Sequence, residues 1–240
     1  MTNKVNPKEN PNNDNRMKNF LLSIICLALI ACNTYSNIPV AETEDSHCIV
    51  DRSFIHSKEF HQHIKENPDI RKLLVIISSF LIDYSIIALI YVWVSYGKTW
   101  QPLISILVFY GFRGLCNYLY LLQSPTDLLW EFPGIWSFSV SYHKTTDFFF
   151  SGHVGINFIS AFEINRLGFT KTALISIIGV FYQIFVMVNV RGHFFIDLIA
   201  GLLSAHYSII LSDYIHKYVS RTIFDLDYEK KLIEFDVKQN

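Results

Sequence analysis

The stretch that decides the fold is D-F-F-F-S-G-H (Asp147–His153). A second motif, R-G-H-F-F-I-D (Arg191–Asp197), follows it after enough residues for two helices. Both motifs lie in strongly apolar sequence, where a bilayer solvates ionisable groups poorly and such groups are candidate functional residues. A membrane-spanning helix takes about 20 residues. The chain can therefore cross the membrane after His153, turn, cross back and reach His193 on the same side. We expect His153, His193 and Asp197 to meet in one site.

Composition favours a membrane protein. The 240 residues are 51% hydrophobic and carry a formal net charge of −1. This balance argues against a nucleic-acid partner, since neutralising phosphates needs a basic surface. The four cysteines form no C-x-x-C pair and have no zinc-ligand spacing, so they indicate neither a metal site nor a compartment.

The N-terminal third is predicted to divide into three parts. Residues 1–16 are rich in Asn, Lys and Pro and are predicted to be a disordered leader. Residues 17–32 are predicted to form a first transmembrane helix. The alternative is a cleaved signal, because the sequence ending at Cys32 resembles a bacterial lipoprotein cleavage box. Residues 33–72 form a polar exoplasmic segment, in which Phe54–Lys65 is predicted to be an interfacial helix. His61 and His63 are expected on a solvated surface rather than at a metal.

Residues 73–215 are predicted to be a catalytic transmembrane domain, followed by a cytoplasmic tail over residues 216–240. Its apolar runs predict the spans Leu73–Tyr96, Leu103–Leu122, Phe148–Ile164, Thr172–Val190 and Phe194–Tyr214. Together with residues 17–32 they give an all-α integral membrane helical bundle of about six transmembrane helices, with both termini cytoplasmic.

Charged and aromatic residues predict how this bundle sits in the bilayer. Asp83 and Arg113 interrupt two spans and are expected to face protein, water or a lipid headgroup. The loop Gln123–Thr146 contains Trp130 and Trp136, which suit a membrane interface.

The positive-inside rule predicts the orientation. The basic residues Lys98, Arg166 and Lys171, with those of the tail, fall on the face opposite the histidines, so that face is expected in the cytoplasm. The site is then on the exoplasmic face, lumenal or periplasmic. Arg71 and Lys72 do not fit this rule.

The residue types in the two motifs point to nucleophilic or acid–base chemistry. His193 and Asp197 are four residues apart, so on a helix they share one face, and a carboxylate beside a histidine is an orienter–base arrangement. His153 can protonate a leaving oxygen. Arg113 and Arg191 supply the positive charge that phosphoryl oxygens require.

The motifs resemble the type-2 phosphatidic acid phosphatase superfamily, in which S-G-H is followed by H-x-x-x-D on a later membrane helix. They look most like its lipid-phosphotransferase branch, the sphingomyelin synthases and the phosphatidylcholine:diacylglycerol cholinephosphotransferases. Asp147 before S-G-H is similar to the sphingomyelin synthase form. The sequence R-G-H with I-D, and S-G-H-V, are closer to the cholinephosphotransferases.

The resemblance covers roughly residues 73–215. Phe112-Arg113 and the sequence Leu122–Pro125 resemble a shared F-R and L-P-x-P, with Gln123 in place of the first proline. Phe150 stands where the phosphatases have the proline of P-S-G-H, so plain phosphatase activity is less favoured.

The resemblance implies a transferase that moves a phosphocholine-type headgroup from a phospholipid to diacylglycerol, or to a related lipid alcohol such as ceramide, without a cofactor. His193 is then the nucleophile, Asp197 its partner and His153 the acid on the departing diacylglycerol. Substrate-binding residues are expected at Arg113, Asp147, Ser151, Gly152, Arg191 and Gly192.

Three other interpretations stay open. A water acceptor would make the protein a lipid phosphate phosphatase. A metal site of His153, His193 and Asp197 is a second, although such sites usually need a more compact ligand set. A non-catalytic lipid-binding membrane protein would keep the arginines without requiring the His193–Asp197 pair.

Overall fold

The computed structural model describes residues 16–25, 28, 51–120, 122, 124–142 and 149–239, with only the helical backbone for residues 220–239. The regular structure of these residues is helical throughout. Residues 16–25 are α1. The later helices are α2 (Arg52–His56), α3 (Lys58–Glu66), α4 (Pro68–Tyr96), α5 (Gln101–Leu119), α6 (Gly152–Arg166), α7 (Thr170–Asn189) and α8 (Phe195–Gln239).

Four of these helices are long and apolar enough to cross a membrane. They are α4, α5, α7 and the part Phe195–Val219 of α8. The predicted all-α integral membrane bundle is confirmed. The fifth helix of the bundle, α6, has 15 residues, or about 22 Å at the helical rise, against a hydrocarbon core of about 30 Å.

The short helix α6 is the centre of the bundle, and α4, α5, α7 and α8 all pack against it. Small and polar residues let the helices approach, as is usual where no hydrophobic effect drives helix association. A Cβ on Gly155 would come 2.1 Å from the ring of Phe109 on α5. Ser85 donates a 2.7 Å hydrogen bond to Asn157, and Ser105 donates one of 2.8 Å to Glu163.

Contacts between the helix ends define the end of the bundle that lies opposite the two histidine motifs. Arg166 pairs with Asp213 at 2.9 Å, and Gln101 donates to the same carboxylate at 3.0 Å. The rings of Tyr96 and Phe169 are 4.8 Å apart. The α4–α5 turn, the α6–α7 turn and the distal part of the α8 span therefore meet at one end, with the motifs at the other.

Several helix boundaries differ from the sequence prediction. Helix α4 begins at Pro68 rather than Leu73, because proline suits the first turn of a helix and the polar residues after it continue the helix. The predicted span Phe148–Ile164 begins only at Gly152. The predicted tail is helical to Gln239 as a continuation of α8.

The structure describes only part of the N-terminal segments that were predicted from the sequence. Of residues 17–32, the structure describes 17–25 and 28, and of the predicted leader it describes Arg16 alone. The side-chain amide of Asn19 donates to the carbonyl oxygens of Trp93 and Gly97, at 3.3 and 3.2 Å. Helix α1 thus contacts the end of the bundle that lies away from the two motifs. The predicted single interfacial helix is instead the pair α2 and α3.

Candidate active site

The S-G-H motif begins the central helix. Ser151 is the N-cap of α6, so Gly152 and His153 lie in its first turn, where backbone N–H groups have no partner within the helix. The Ser151 hydroxyl is buried and has no hydrogen-bond partner among the described residues. Its backbone N–H donates to the carbonyl oxygen of Asp197 at 3.1 Å. The start of α6 therefore abuts the first turn of α8.

Two glycines make this approach possible. A Cβ on Gly152 would lie 3.2 Å from Nε of Arg113, and a Cβ on Gly201 would lie 2.6 Å from the carbonyl oxygen of Ser151. Arg113 is buried and its Nε–H donates to the carbonyl oxygen of Phe150 at 2.8 Å. The structure thus places the Arg113 guanidinium against the start of α6.

The two histidines face each other across the junction of α6 and α8. Their ring centres are 6.2 Å apart and their planes are inclined by 69°. His193 is buried, whereas His153 is partly exposed. Nε2 of His153 has no hydrogen-bond partner among the residues that the structure describes. The two rings are therefore near enough to contact the same small group.

A tight turn after α7 positions His193. The N–H of Gly192 donates to the carbonyl oxygen of Met187 at 2.8 Å, and that of Arg191 points to the carbonyl oxygen of Val188 at 3.4 Å. These are the bonds of a Schellman motif. Arg191 occupies its left-handed position, with φ of 56°, where glycine is usual.

His193 lies before α8 and Asp197 within its first turn. The prediction that both share one face of a helix is therefore wrong, because His193 lies between the Schellman turn and the first residue of α8. Nδ1 of His193 and Oδ2 of Asp197 are still 3.9 Å apart. This is an ion-pair distance and too long for a hydrogen bond.

The carboxylate of Asp197 is fully buried, and its Oδ2 accepts a 3.2 Å hydrogen bond from the N–H of Phe194. Its Oδ1 has no partner within the described part of the chain. Catalytic hydrogen bonds are often long before a substrate is bound. The buried carboxylate therefore lies where it can orient the ring of His193.

Arg191 contacts helix α2. Its guanidinium carbon is 4.5 Å from the ring centre of Phe54, and a guanidinium N–H points to the carbonyl oxygen of Phe54 at 3.4 Å. The Phe54 ring stacks on Phe194 at 5.7 Å. Asp51, which caps α2, accepts a 2.6 Å bond from the N–H of Phe195. Helix α2 is thus fixed to the turn that carries His193, a contact that the sequence did not reveal.

His61 on α3 was also missed. It was expected on a solvated surface, but it is buried where α3 contacts the end of α7, and its Nδ1 bonds to the carbonyl oxygen of Asn189 at 2.8 Å. Burial lowers the pKa of His61, and the bond to Asn189 opposes that shift. The usable signal was its spacing of three from Ile64, which is fully buried on the same face of α3. His63 is exposed, as predicted.

Charged side chains near the site link α3 to the loop 124–142. The hydrogen bond from Lys65 to Asp127, at 3.0 Å, lowers the pKa of Asp127. Burial lowers the pKa of Arg191, while the negative charges of Asp127 and Asp51 oppose this shift. An arginine remains protonated under all ordinary conditions.

The loop 124–142 forms one wall of the site. The ring of Trp130 lies edge-on to that of His153 with centres 5.4 Å apart. Asp83 on α4 accepts hydrogen bonds from the hydroxyls of Ser137, at 2.9 Å, and Ser139. The carboxylate in this span therefore holds the loop in place. Trp136 is 76% exposed; that it lies at a membrane interface stays a prediction.

Two predictions remain, a substrate-binding role for Asp147 and, as an alternative interpretation, a metal site. Asp147 lies outside the described residues. In the described part of the chain, no group of three or more His, Cys, Asp or Glu side chains is arranged to hold a metal ion.

Comparison with known proteins identifies the family. Residues 50–214, which contain both histidine motifs, match the family described as AtPDCT1/2. The chain belongs to the AtPDCT1/2 family. It is 24% identical over 152 residues to phosphatidylcholine:diacylglycerol cholinephosphotransferase 1 of Arabidopsis thaliana. The matched part is 63% of this chain and 49% of that relative, so the chain spans about half the length of the relative it matches. No solved structure matches this member of the AtPDCT1/2 family.

Proposed function

We propose that the protein is a membrane lipid headgroup transferase of the type-2 phosphatidic acid phosphatase superfamily. It moves a phosphocholine-type headgroup from a phospholipid to diacylglycerol through a phosphohistidine at His193. The observation that carries this proposal is the 6.2 Å approach of the His153 and His193 rings, with the buried carboxylate of Asp197 3.9 Å from Nδ1 of His193. The name of the Arabidopsis relative supports the choice of substrates.

The position of the site suits a lipid phosphate. His153 lies in the first turn of a helix of only 15 residues, which starts beside the first turn of α8, whereas α4, at 29 residues, extends well beyond it. A phospholipid held in the bilayer can present its phosphate there without leaving the membrane. Arg113, the Ser151 hydroxyl and the first N–H groups of α6 surround the place where phosphoryl oxygens would lie.

In the first half-reaction, neutral His193 attacks the phosphorus with Nε2 while Asp197 accepts a hydrogen bond from its Nδ1–H. The P–N bond forms as the bond from phosphorus to the glycerol oxygen breaks. Protonated His153 gives its proton to that oxygen, and diacylglycerol leaves. The positive charge that develops on His193 is stabilised by Asp197.

In the second half-reaction, the hydroxyl of a new diacylglycerol attacks the phosphorus and loses its proton to neutral His153. The P–N bond breaks and returns His193 to its neutral state. His153 again carries a proton, so the cycle closes without a net proton change. Water in place of the lipid hydroxyl would release free phosphocholine, which is hydrolysis of the phosphodiester, whereas a lipid phosphate phosphatase would release inorganic phosphate from a phosphomonoester such as phosphatidic acid.

We place this site on the exoplasmic face of the membrane. Lys98, Arg166 and Lys171 lie in or beside the turns at the other end of the bundle, which suits a cytoplasmic location. Of the basic residues on the site's side, Lys65 pairs with Asp127 and Arg71 with Glu131, each at 3.0 Å. An external thiol reagent should label a cysteine placed at the exposed Trp136 and fail to label one placed at Gly168.

The proposal is tested by following the headgroup. Purified protein is incubated with phosphatidylcholine labelled in its headgroup, together with unlabelled diacylglycerol or ceramide. With diacylglycerol as the acceptor, we expect the label to appear in phosphatidylcholine that carries the acyl chains of that diacylglycerol. Label in sphingomyelin would make ceramide the acceptor, and label in free phosphocholine would make water the acceptor. Release of inorganic phosphate from phosphatidic acid would instead indicate a lipid phosphate phosphatase. If no label moves while the lipid still binds, the protein is a lipid-binding protein and the proposal is wrong.

A further inference from the structure

The carboxylate of Asp51 joins the starts of two helices. Its Oδ1 accepts a 2.8 Å hydrogen bond from the N–H of Ser53 and so caps α2. The 2.6 Å hydrogen bond from the N–H of Phe195, the first residue of α8, goes to Oδ2. A bond from a backbone amide to a charged carboxylate is stronger than one between two neutral groups. Asp51 therefore ties α8 to a helix that lies outside the bundle.

The start of α8 needs such a partner because its own sequence does not supply one. The residue before a helix is usually Ser, Thr, Asp or Asn, whose side-chain oxygen accepts a bond from the first turn. In α8 this position is occupied by Phe194, whose side chain has no oxygen. The N–H of Phe194 bonds to Asp197, and that of Phe195 bonds to Asp51. Two carboxylates thus share the amides at this helix start.

This sharing matters because Asp197 has a second neighbour. Its Oδ2, which accepts the bond from Phe194, is also the oxygen that lies 3.9 Å from Nδ1 of His193. A carboxylate in the first turn of a helix is attracted to N–H groups that lack a partner there. Without Asp51, the N–H of Phe195 would compete with His193 for Asp197. With Asp51 present, that amide already has its acceptor.

Helix α2 contacts the chain on both sides of His193. Two residues before it, the guanidinium of Arg191 lies over the ring of Phe54. Directly after it, the ring of Phe194 stacks on the same phenylalanine, and the next amide bonds to Asp51. His193 itself lies outside the helices α7 and α8. These contacts therefore hold a segment whose backbone has no helical bonds to fix it.

We propose that Asp51 is a positioning residue for His193, an inference that rests on the proposed function. It fixes the start of α8 against α2 and leaves the carboxylate of Asp197 to orient the His193 ring. Asp51 acts through backbone amides, so its loss should lower kcat with little change in KM for phosphatidylcholine. Misplacing a reacting group by about 1 Å costs up to about a hundredfold in rate. We therefore expect kcat to fall by about tenfold to a hundredfold.

Two substitutions at Asp51 separate the link to α8 from the cap of α2. Asp51→Ser keeps a good capping residue for α2, but its single, shorter oxygen cannot also reach Phe195. Asp51→Ala loses both bonds. We expect the same fall in kcat from both variants, with the alanine variant unfolding at the lower temperature. Asp69→Ala is the control, because it removes an exposed acidic residue from the first turn of α4 and should keep the wild-type kcat.

These kinetic measurements can overturn the proposal in two ways. If Asp51→Ser keeps the wild-type kcat, Asp51 only caps α2. If its loss raises KM and leaves kcat unchanged, Asp51 acts in substrate binding rather than through His193.

The tautomer of the His193 ring tests the proposal without depending on catalysis. Nitrogen-15 NMR of protein labelled in its histidines, assigned by comparison with His193→Ala, shows which ring nitrogen carries the proton when the ring is neutral. We expect the proton on Nδ1, facing Asp197, in the wild type, and a loss of this preference in Asp51→Ser. The same tautomer in both proteins would overturn the proposal. If the preference is lost as expected while the wild type transfers no headgroup, the positioning role stands and the proposed transferase function fails.

Discussion

The backbone N–H of Ser151 donates a 3.1 Å hydrogen bond to the carbonyl oxygen of Asp197. This bond joins the S-G-H motif to the first turn of α8, although the two residues are 46 positions apart in the sequence. Since His153 and His193 each lie within a few residues of it, small movements of α8 against α6 change the distance between the two rings. The packing at this contact therefore controls the geometry of the site.

Gly201 should be essential to that contact. A Cβ there would lie 2.6 Å from the carbonyl oxygen of Ser151, so Gly201→Ala must displace α8. We expect a loss of about 1–3 kcal/mol in the free energy of unfolding, as for other overpacked sites, with a fall in transfer rate. Gly111→Ala on α5 is the control, because nothing lies within 4 Å of its Cβ and it should stabilise the helix. Equal thermal stability and transfer rates for the two variants would contradict the packing argument.

Arg191 should strain the turn that carries His193. With φ of 56°, a side chain at this position costs roughly 1–2 kcal/mol that glycine avoids. Arg191→Gly and Arg191→Ala both lose the contact with Phe54, but only the alanine variant keeps the strain. We expect the glycine variant to unfold at the higher temperature in the same detergent. The reverse order would show that the turn adopts another conformation in solution.

His61 should make stability depend on pH. Burial holds its pKa below the usual value of 6.5 in the folded protein, so the unfolded chain binds a proton first as the pH falls. The stabilisation from neutral His61 is present above about pH 6.5 and is lost below it. Thermal unfolding at pH 7.5 and pH 5 should show a smaller difference for His61→Gln than for the wild type. His63→Gln, on the exposed face of α3, should leave the difference unchanged, and equal responses would contradict this assignment.

Asp197 should be required for transfer but not for folding. Asp197→Asn keeps the size of the side chain but favours the wrong tautomer of His193, a change that costs about ten-thousandfold in the rate of a serine protease. We expect a loss approaching that size in the transfer of labelled headgroup. Asp213→Asn on the same helix, at the far end of the bundle, serves as the control and should retain most activity. Transfer at the wild-type rate by the Asp197→Asn protein would show that the carboxylate has no role in the mechanism.

The bundle and the meeting of the two motifs could be predicted because both depend on local signals. Apolar runs of sufficient length predict the spans, and the spacing between His153 and His193 allows one crossing and return. The structure brings these histidines and Asp197 together. Arg113 was predicted to avoid lipid because it is charged, and it lies buried against the start of α6.

Other features of the site depend on contacts between distant residues that no periodic pattern reveals. Neither the edge contact of Trp130 with His153 nor the packing of Phe54 on Phe194 could be predicted from spacing. The burial of His61 follows from where α3 lies against the end of α7. The length of α6 was overestimated because Phe149 and Phe150 extend its apolar run without being helical.

The identity of the nucleophile is tested most directly with a nitrophenyl ester of phosphocholine, whose leaving group needs no proton. Rapid mixing with His153→Ala should release about one equivalent of nitrophenolate per protein, because His193 becomes loaded and no base activates the acceptor. Mass spectrometry should then find one phosphocholine group on the peptide that contains His193. His193→Ala should give neither the burst nor the adduct. A burst from His193→Ala that is absent from His153→Ala would show that the roles are exchanged and would contradict the account.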